Sequence, residues 1–381
     1  MDLGKLLTLR DEFPVTEHYA YLNHASVAPL PRRGVERVTA LAQRISVTGD
    51  QTWADRNATS EEVRALAARL LGARETHEVA FVENTSTGLS LVASGLPWEP
   101  GDNVVGVACE FPSNAYPWMN LEEWGVEYRT APEREGRIDT EELLALVDDR
   151  TRVLALSWIE YSNGFRFDLT RIGTFCREHG VLFVVDVIQG LGGLVLDVER
   201  AKIDVACASA HKWLLGPEGI GLLYISDRIV DRFHPLRAGW RSMRDQGAWT
   251  ELAIDWGPGA KRHESGSLNA LGIHTFGVSL ELLLGLGPTV VEERVLSLAD
   301  LVARGLTRLG FSLVSSRRPG ETSGIVAAVH PRVPAETLVQ HLLGHGIVVS
   351  ARAGRLRFSP HVYNTAEEIG RALDELATFP V

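Results

Sequence analysis

The sequence contains little cysteine. Its three cysteines among 381 residues show no C-x-x-C spacing and no pairing pattern: Cys109, Cys176 and Cys207. This usage excludes a disulfide-stabilised scaffold and predicts reduced thiols in a cytoplasmic protein. The first residues are charged and lack the apolar core of a secretion signal, which agrees with that expectation.

Long apolar runs, dense basic stretches and nucleotide-binding motifs are also absent. No stretch of about 18 uncharged apolar residues occurs, so we expect no membrane span. Lys plus Arg (38) against Asp plus Glu (49) gives a net charge of −11, which argues against a nucleic-acid partner. The patterns G-x-G-x-x-G and G-x-x-x-x-G-K do not occur, so nucleotide-binding loops are not predicted.

Short apolar runs alternate with helical patterns through the first two thirds of the chain. This alternation predicts an α/β fold with a mostly parallel sheet that is covered on both faces. After Lys261 the helices become longer and the strands shorter, which predicts a smaller α+β domain. The strands of the large sheet are expected at 79–82, 103–108, 126–130, 153–158, 181–185, 203–208 and 220–225.

Lys212 follows the apolar run at 203–208 and precedes the turn at Gly216-Pro217. Burial at the end of a strand disfavours the ammonium form and lowers the pKa of a lysine. An easily neutralised lysine is a nucleophile for carbonyl compounds and can form a Schiff base. A strand-end lysine can equally extend to solvent, so this stretch alone leaves both interpretations open.

Polar or aromatic residues follow five of the predicted strands. In parallel sheets ligands bind beyond the carboxyl ends of the strands, so these residues predict a site at that edge. The hydroxyl residues at 85–87 lie between a strand and a helix, where they could bind a phosphate or form a plain N-cap. The residues at the strand ends are Thr85, Ser86, Thr87, Phe111, Ser113, Asn163, Asp186, Gln189, Ser209, His211 and Lys212.

Asp186 ends the apolar strand 183–186. A carboxylate at a buried strand end needs a positive partner or several hydrogen-bond donors. The protonated ring nitrogen of pyridoxal 5′-phosphate is such a partner, and enzymes of this cofactor combine it with a Schiff-base lysine. Asp186, Lys212 and the hydroxyl residues at 85–87 therefore predict a pyridoxal-phosphate site.

Four short motifs occur in one order along the chain: Val185-Asp186-Val187-Ile188-Gln189, Ser209-Ala210-His211-Lys212, Gly266-Ser267-Leu268-Asn269, and Arg357-Phe358-Ser359 before Tyr363-Asn364-Thr365. In this order they resemble the class V aminotransferase family of pyridoxal-phosphate enzymes of fold type I. That family includes cysteine desulfurases, selenocysteine lyases, kynureninases and isopenicillin N epimerases. The resemblance implies a large cofactor-binding domain at 16–260 with a seven-stranded, mostly parallel sheet. It also implies a small α+β domain at 261–381, joined by residues 1–15.

The resemblance also implies roles for individual residues. Lys212 would form the Schiff base and Asp186 would contact the ring nitrogen, while Phe111 would stack on the ring. Ser267 would reach the phosphate of a second subunit, which implies a homodimer with shared sites. Near the ring hydroxyl we expect Gln189 and Asn163; at the phosphate Thr85, Ser86, Thr87, Ser209 and His211; and at the substrate Arg357, His24 and Asn23.

The chain departs from cysteine desulfurases at two positions. Those enzymes have histidine at the stacking position, where this chain has Phe111. They also carry a nucleophilic cysteine in the loop before the substrate-binding arginine, and the corresponding loop at 349–355 contains none. We therefore expect no sulfur transfer through an enzyme persulfide.

The resemblance implies aminotransferase-type chemistry on an α-amino acid, in which Lys212 removes the Cα proton. Loss of a β-substituent by a C–S lyase and reprotonation from the other face by an epimerase are alternatives. A non-catalytic sensor of the cofactor or of an amino acid is a further alternative. The complete set of Lys212, Asp186 and Arg357 and the lack of a basic helix-turn-helix segment disfavour that sensor.

Two other candidate features receive no functional assignment. His341 and His345 have a helical i,i+4 spacing, but no acidic residue lies between them and the flanking glycines indicate a helix end. We therefore predict no metal site. Cys207 lies inside a strand and is interpreted as core, and Cys109 is not expected to be catalytic.

Overall fold

The computed structural model describes residues 3–247, 250 and 252–380. The N-terminal part comprises α1 (Leu3–Arg10), β1 (Ala20–Tyr21), α2 (Arg32–Thr48) and α3 (Trp53–Leu71). Helix α3 ends at Gly72, whose φ of 69° lies in the left-handed region that glycine adopts without steric cost.

The elements of the large domain follow in an alternating order. They are β2 (Val79–Val82), α4 (Thr85–Gly95), β3 (Asn103–Val107), α5 (Tyr116–Met119), β4 (Glu127–Ala131), the hairpin β5 (Glu133–Arg134) and β6 (Arg137–Ile138), α6 (Thr140–Leu144), β7 (Thr151–Ser157), α7 (Leu169–His179), β8 (Leu182–Asp186), β9 (Val205–Ser209) and β10 (Gly221–Ile225).

Seven of these strands form one sheet in the order β2-β10-β9-β8-β7-β3-β4. All neighbouring pairs are parallel except those made by β10, which is antiparallel to both β2 and β9. Most strand residues are buried because apolar clusters cover both faces. The predicted seven-stranded, mostly parallel sheet is confirmed.

The sheet register brings the polar strand ends together. Asp186 at the end of β8 is paired with Ser157 of β7 and with Cys207 of β9. Ser209 ends β9 opposite Gly221, three residues before Lys212. The predicted site residues therefore share one edge of the sheet.

The C-terminal part forms the small domain. It contains α8 (Ala270–Leu286), α9 (Pro288–Arg308), β11 (Ser312–Leu313), β12 (Val326–Val329), α10 (Ala335–Gly344), β13 (Ile347–Val348), β14 (Ser350–Arg352), β15 (Arg355–Phe358) and α11 (Ala366–Thr378). Four strands make an antiparallel sheet in the order β11-β12-β15-β14. Helix α11 begins with a capping box, in which Thr365 and Glu368 exchange side-chain to backbone hydrogen bonds.

The N-terminal strand belongs to the small domain. Strand β1 pairs in parallel with β13, and Ala20 and Leu22 are buried in the small-domain core. The sequence-based boundary at residue 16 placed this segment in the large domain. The reason for the difference is that a two-residue strand acquires its partner only through a long-range contact.

Helices α8 and α9 follow each other directly, with only Gly287 between them. In the described part of the chain no single helix is long and apolar enough to cross a membrane. This pair meets the length and composition test only when combined, across a bend of 85°.

Candidate active site

A cavity of about 290 Å³ opens at the carboxyl ends of the central strands. Its wall combines the large domain with the hairpin β14–β15 of the small domain. The lining residues are Ala25, Ser26, Val27, Asn84, Thr85, Ser86, Phe111, Ser113, Tyr161, Asp186, Ile188, Gln189, Ser209, His211, Lys212, Arg352 and Arg357.

Lys212 is held on the cavity wall by a tight turn after β9. The N–H of Leu215 donates to its carbonyl oxygen (2.9 Å), and Leu215 has a φ of 57°, which is unusual for a residue with a side chain. The pKa of Lys212 is lowered to about 8, mainly by burial; the charge of Asp186 opposes this shift, and the charges of Arg357 and Arg352 add to it. An amine with this pKa is readily neutral, as a Schiff-base nucleophile must be.

Asp186 lies at the centre of the sheet edge and is almost fully buried. Burial raises its pKa to about 6, although the N–H of Ile188, which donates to Oδ1 (2.9 Å), and the charge of Lys212 oppose that rise. A buried carboxylate of this kind is stabilised by a cationic ligand. The protonated nitrogen of a pyridine ring meets that requirement.

Hydroxyl groups surround the N-terminus of α4. The N–H of Thr85 donates to Ser209 Oγ (2.8 Å), and the N–H of Ser209 donates to Thr85 Oγ1 (2.9 Å). Asn84 Oδ1 caps the helix by accepting from the N–H of Thr87 (2.9 Å), and the Thr87 side chain is not part of the cavity wall. Ser86 shares a hydrogen bond with Ser113 (2.7 Å). The helix N-terminus is thus capped, and Thr85, Ser86, Ser209 and His211 still face the cavity beside it.

Phe111 presents an aromatic ring to the cavity. It is 40% exposed, and the Tyr161 ring meets it edge to face at a centroid distance of 5.2 Å. The ammonium nitrogen of Lys212 lies 5.4 Å from the Phe111 centroid. A planar ring bound to Lys212 would therefore lie close to the Phe111 face, as stacking requires.

The two predicted amide ligands differ in their remaining hydrogen-bond capacity. Gln189 accepts from Trp213 Nε1 (3.0 Å) and donates to the carbonyl of Ala25 (3.1 Å), so both ends of its amide are engaged. Asn163 accepts from the N–H of Phe165 (2.8 Å), but its buried Nδ2 has no hydrogen-bond partner in the described part of the chain. A buried donor without a partner costs about 1–3 kcal/mol. Asn163 does not line the cavity, so the structure shows no direct path from this donor to a ligand there.

Arg357 is a buried cation without a carboxylate partner among the described residues. Its guanidinium donates to the carbonyl of Tyr161 (2.6 Å), to Ser26 Oγ (2.8 Å) and to Ser350 Oγ (3.1 Å). Burial lowers the pKa of Arg357 to about 9, and the charge of Arg352 adds to this effect. An anionic ligand such as an α-carboxylate would offset that cost.

Five predicted residues lie away from the cavity wall: Thr87 and Asn163, described above, and His24, Asn23 and Ser267. His24 is buried, with Nδ1 2.9 Å from the Ser359 carbonyl and Nε2 2.7 Å from the Tyr363 hydroxyl, so the geometry provides no direct substrate contact. Asn23 is also absent from the wall, although its buried Oδ1 has no partner in the described residues. Ser267 is exposed beside a separate cavity. Its expected contact with a second subunit is not tested by one chain.

Three of the cavity residues that had no role predicted from the sequence lie around Arg357. Ser26 and Tyr161 contact Arg357, and Arg352 lies on the same hairpin as Arg357. Ser26 lies two residues after His24, and Arg352 lies in the loop at 349–355. The sequence shows that these residues are close to predicted site residues, but it does not show whether their side chains point into the cavity.

None of the three cysteines lines the cavity. Burial, followed by the nearby charge of Glu160, raises the pKa of the Cys109 thiol far above its usual range. Glu110, which directly precedes Phe111, and Glu160 are buried acids, and the charge of Glu110 acts on Glu160. Burial raises the pKa of Glu110 to about 8 and that of Glu160 well above its usual value. No described cysteine is placed to attack a ligand in this cavity.

Glu375 of α11 supplies a carboxylate beside the histidine pair of α10. Its Oε2 lies 3.4 Å from His345 Nε2 and 3.8 Å from His341 Nε2. These three side chains have a geometry that could hold a metal ion, because their ligand atoms all lie within 4.8 Å of one another. Glu375 lies on a different helix from the two histidines, so the residues between them in the sequence could not reveal this carboxylate.

Solved structures with this fold include enzymes that use pyridoxal phosphate. The cystine C–S lyase C-DES in complex with its product cysteine persulfide has a TM-score of 0.89 and 25% identity, covering 96% of this chain and 99% of the other. A C-DES variant with glycine linked covalently to its pyridoxal-phosphate cofactor has a TM-score of 0.90, with 25% identity and 97% and 99% coverage. The apo cysteine desulfurase of Thermococcus onnurineus has a TM-score of 0.88 at 23% identity over 99% of this chain and 98% of the other, and supports the fold.

Curated relatives and a family model agree with these structures. A probable cysteine desulfurase of Methanothermobacter thermautotrophicus is 28% identical, covering 97% of both chains. The cysteine desulfurase of Salmonella choleraesuis is also 28% identical, covering 95% of both. The family model described as aminotransferase class-V matches residues 20–371. The family predicted from the motifs is therefore confirmed, and the chain belongs to the class V aminotransferases.

Proposed function

We propose that this protein is a pyridoxal-phosphate enzyme that cleaves the Cβ–S bond of a sulfur-containing α-amino acid. The observation that carries the proposal is one cavity combining a lysine of lowered pKa, a buried aspartate and a buried arginine without a carboxylate partner in the described chain. The pyridoxal-phosphate cofactor is supported by the family and by the C-DES structures.

The choice of reaction rests on the relatives. Transamination was the first expectation from the sequence, with C–S cleavage as its alternative. The similar curated proteins are cysteine desulfurases, and a similar structure of 25% identity is a cystine C–S lyase. These findings favour the C–S lyase alternative over transamination.

Three cavity residues would have separate roles in the reaction. When bound, the cofactor withdraws electrons from the substrate Cα. Lys212 would hold the cofactor and, as a neutral amine, accept the Cα proton. Asp186 would keep the ring nitrogen protonated, and Arg357 would bind the α-carboxylate through two parallel hydrogen bonds.

The absence of a cysteine from the cavity wall defines the fate of the sulfur. In the proposed reaction the Cα–H and Cβ–S bonds break, and the sulfur leaves as a thiol or persulfide. Water then releases pyruvate and ammonia from the remaining three-carbon fragment. No sulfur is retained on the enzyme, in contrast to transfer through an enzyme persulfide.

Product analysis tests this proposal. The holoenzyme is incubated with cysteine, cystine and S-methylcysteine, and pyruvate and released sulfide or thiol are measured. We expect equal amounts of pyruvate and of the sulfur product, and none with Lys212→Ala. A keto acid that retains the sulfur would instead support transamination, and the D-enantiomer would support epimerisation. No reaction and no change in cofactor absorbance with any amino acid would support the sensor alternative.

A further inference from the structure

Three arginines share one face of the hairpin β14–β15. Arg352 pairs with Arg355 and Ser350 pairs with Arg357, and residues directly opposite on antiparallel strands project to the same side. The intervening residues, Ala351 and Leu356, pack in the small-domain core instead. The turn at 353–354 has positive φ at both positions, as a tight two-residue hairpin requires. The arginine face is therefore held by a short, regular hairpin.

The three arginines have different electrostatic partners. Arg355 donates to both carboxylate oxygens of Glu133 (2.7 and 3.3 Å), so its charge is neutralised within the protein. Arg357 contacts only neutral oxygen atoms in the cavity. Arg352 donates to Ser26 Oγ (3.2 Å) and to the carbonyl of Ala351 (2.7 Å), and it makes no ion pair within the described residues. Two of the three cations are thus available to ligands.

Ser26 joins these two cations. Its hydroxyl oxygen accepts from Arg357 (2.8 Å) and from Arg352 (3.2 Å), so the guanidinium groups are separated by a single hydroxyl group. Arg357 is 1% exposed, whereas Arg352 is exposed at the outer part of the cavity. A ligand whose α-carboxylate reaches Arg357 would direct its side chain past Ser26, with Arg352 within reach.

The cavity wall carries more positive than negative charge. Lys212, Arg352 and Arg357 face Asp186, and among the described residues no other carboxylate lines the wall. The charge of Arg352 contributes to the lowered pKa values of both Lys212 and Arg357. The hydroxyl groups beside α4 would hold the phosphate of the cofactor. The α-carboxylate of a substrate would neutralise the charge of Arg357. The charge of Arg352 would remain without a partner.

We propose that Arg352 determines specificity by binding a second anionic group, a carboxylate or sulfonate, on the side chain of the amino-acid substrate. The proposal rests on the proposed function for the placement of the α-carboxylate at Arg357. It selects amino acids whose sulfur substituent ends in an anion, for example cystine or S-sulfocysteine, over neutral thioethers. Arg352 lies in the loop where cysteine desulfurases carry their nucleophilic cysteine. In this protein the loop would instead bind the side chain of the substrate.

Binding of isosteric amino acids tests the charge preference without requiring turnover. The holoenzyme is titrated with aspartate and asparagine, and with glutamate and glutamine, while the cofactor absorbance is followed. We expect the acids to bind at least about 10-fold more tightly than the amides, a typical effect of one charge-assisted hydrogen bond. Arg352→Gln should remove this preference, and Arg352→Lys should restore part of it.

Arg355→Gln is the matched control, because it removes a cation from the same hairpin face that Glu133 already neutralises. It should leave the acid-to-amide ratio unchanged. Equal weakening of acids and amides by Arg352→Gln would overturn the proposal and assign Arg352 to the α-carboxylate. Loss of the cofactor from Arg352→Gln would also overturn the proposal, because it would indicate that Arg352 binds the phosphate of the cofactor.

Turnover separates this inference from the proposed reaction. S-sulfocysteine and S-methylcysteine are compared by pyruvate release in the wild type and in Arg352→Gln. An Arg352-dependent preference for acids in the titration, without pyruvate from any substrate, would retain the inference and reject the lyase. Pyruvate release with equal efficiency from both substrates would retain the lyase and reject the inference.

Discussion

Replacing Lys212 with methionine is expected to stabilise the apoenzyme at neutral pH. Burial lowers the pKa of Lys212 from 10.5 to about 8. Each unit of pKa difference between the folded and unfolded states corresponds to about 1.4 kcal/mol, so the charged lysine costs the folded state about 3 kcal/mol below pH 8. Methionine retains a long side chain and removes the charge. Part of the gain is offset because Asp186 loses its positive neighbour.

The pH dependence follows from the sign of the shift. Between pH 8 and pH 10.5 the unfolded chain binds more protons at this lysine than the folded chain does. The stability of the wild type therefore rises with pH in this window, and the cost of the lysine disappears towards its upper end. The advantage of Lys212→Met should fall from about 3 kcal/mol near pH 7 to about 1.4 kcal/mol near pH 9.5.

Urea unfolding of the apoenzyme at these two pH values measures the effect through the midpoint and the slope of the transition. Lys202→Met, which changes a lysine outside the cavity wall, is the control and should show no comparable pH-dependent gain. An advantage of equal size at both pH values would refute the reasoning, because it would come from packing. If Lys212→Met were less stable than the wild type near pH 7, the reasoning would also be refuted, because the buried ammonium group would then not destabilise the folded state.

Four further predictions concern the site and the assembly. Asp186→Asn should retain the cofactor but lower kcat by at least about 100-fold in steady-state kinetics, because a preorganised charge is lost at the ring nitrogen; an unchanged kcat would contradict its role. Arg357→Gln should raise KM for cysteine by about 10- to 100-fold through the loss of charge-assisted hydrogen bonds worth about 1.5–3 kcal/mol, whereas a change confined to kcat would argue against carboxylate binding. Glu160 has a raised pKa, so the folded state holds its proton more tightly than the unfolded state, and the protein loses stability as pH rises above 4.5. In thermal unfolding, the stability of Glu160→Gln should therefore decline less with pH than that of the wild type. An identical pH profile would exclude this buried acid as the cause. Light scattering should give twice the chain mass of 41.8 kDa, with Ser267→Ala losing cofactor more readily in dialysis; a monomer with full activity would reject the shared-site expectation.

Strands of the central sheet were predictable because their signals are local. The run at 79–82 matches β2, and the runs before Asp186 and Lys212 match β8 and β9 within two residues. Strands that are buried on both faces are continuously apolar, and Gly or polar residues bound them. The ends of such strands meet at one edge, so the positions of Asp186 and Lys212 in the site could also be predicted.

The direction of long polar side chains was not predictable in the same way. His24 was predicted at the substrate, yet it lies in the core between Ser359 and Tyr363. Arg352 occupies a loop whose sequence drew attention only for its missing cysteine, yet its guanidinium reaches the cavity through Ser26. Both outcomes depend on contacts between residues more than three hundred positions apart, for which no local pattern exists.

The sequence by itself determined the α/β class, the strand-end lysine and aspartate, and the family, because apolar periodicity and short motifs are properties of neighbouring residues. Tertiary structure alone decided which cations remain without a partner. Arg355 and Arg352 are alike in the sequence, but the fold places Glu133 beside one and an open cavity beside the other. The free energy of a charge depends on its surroundings in space, so the charge available to the substrate became visible only once the chain was folded.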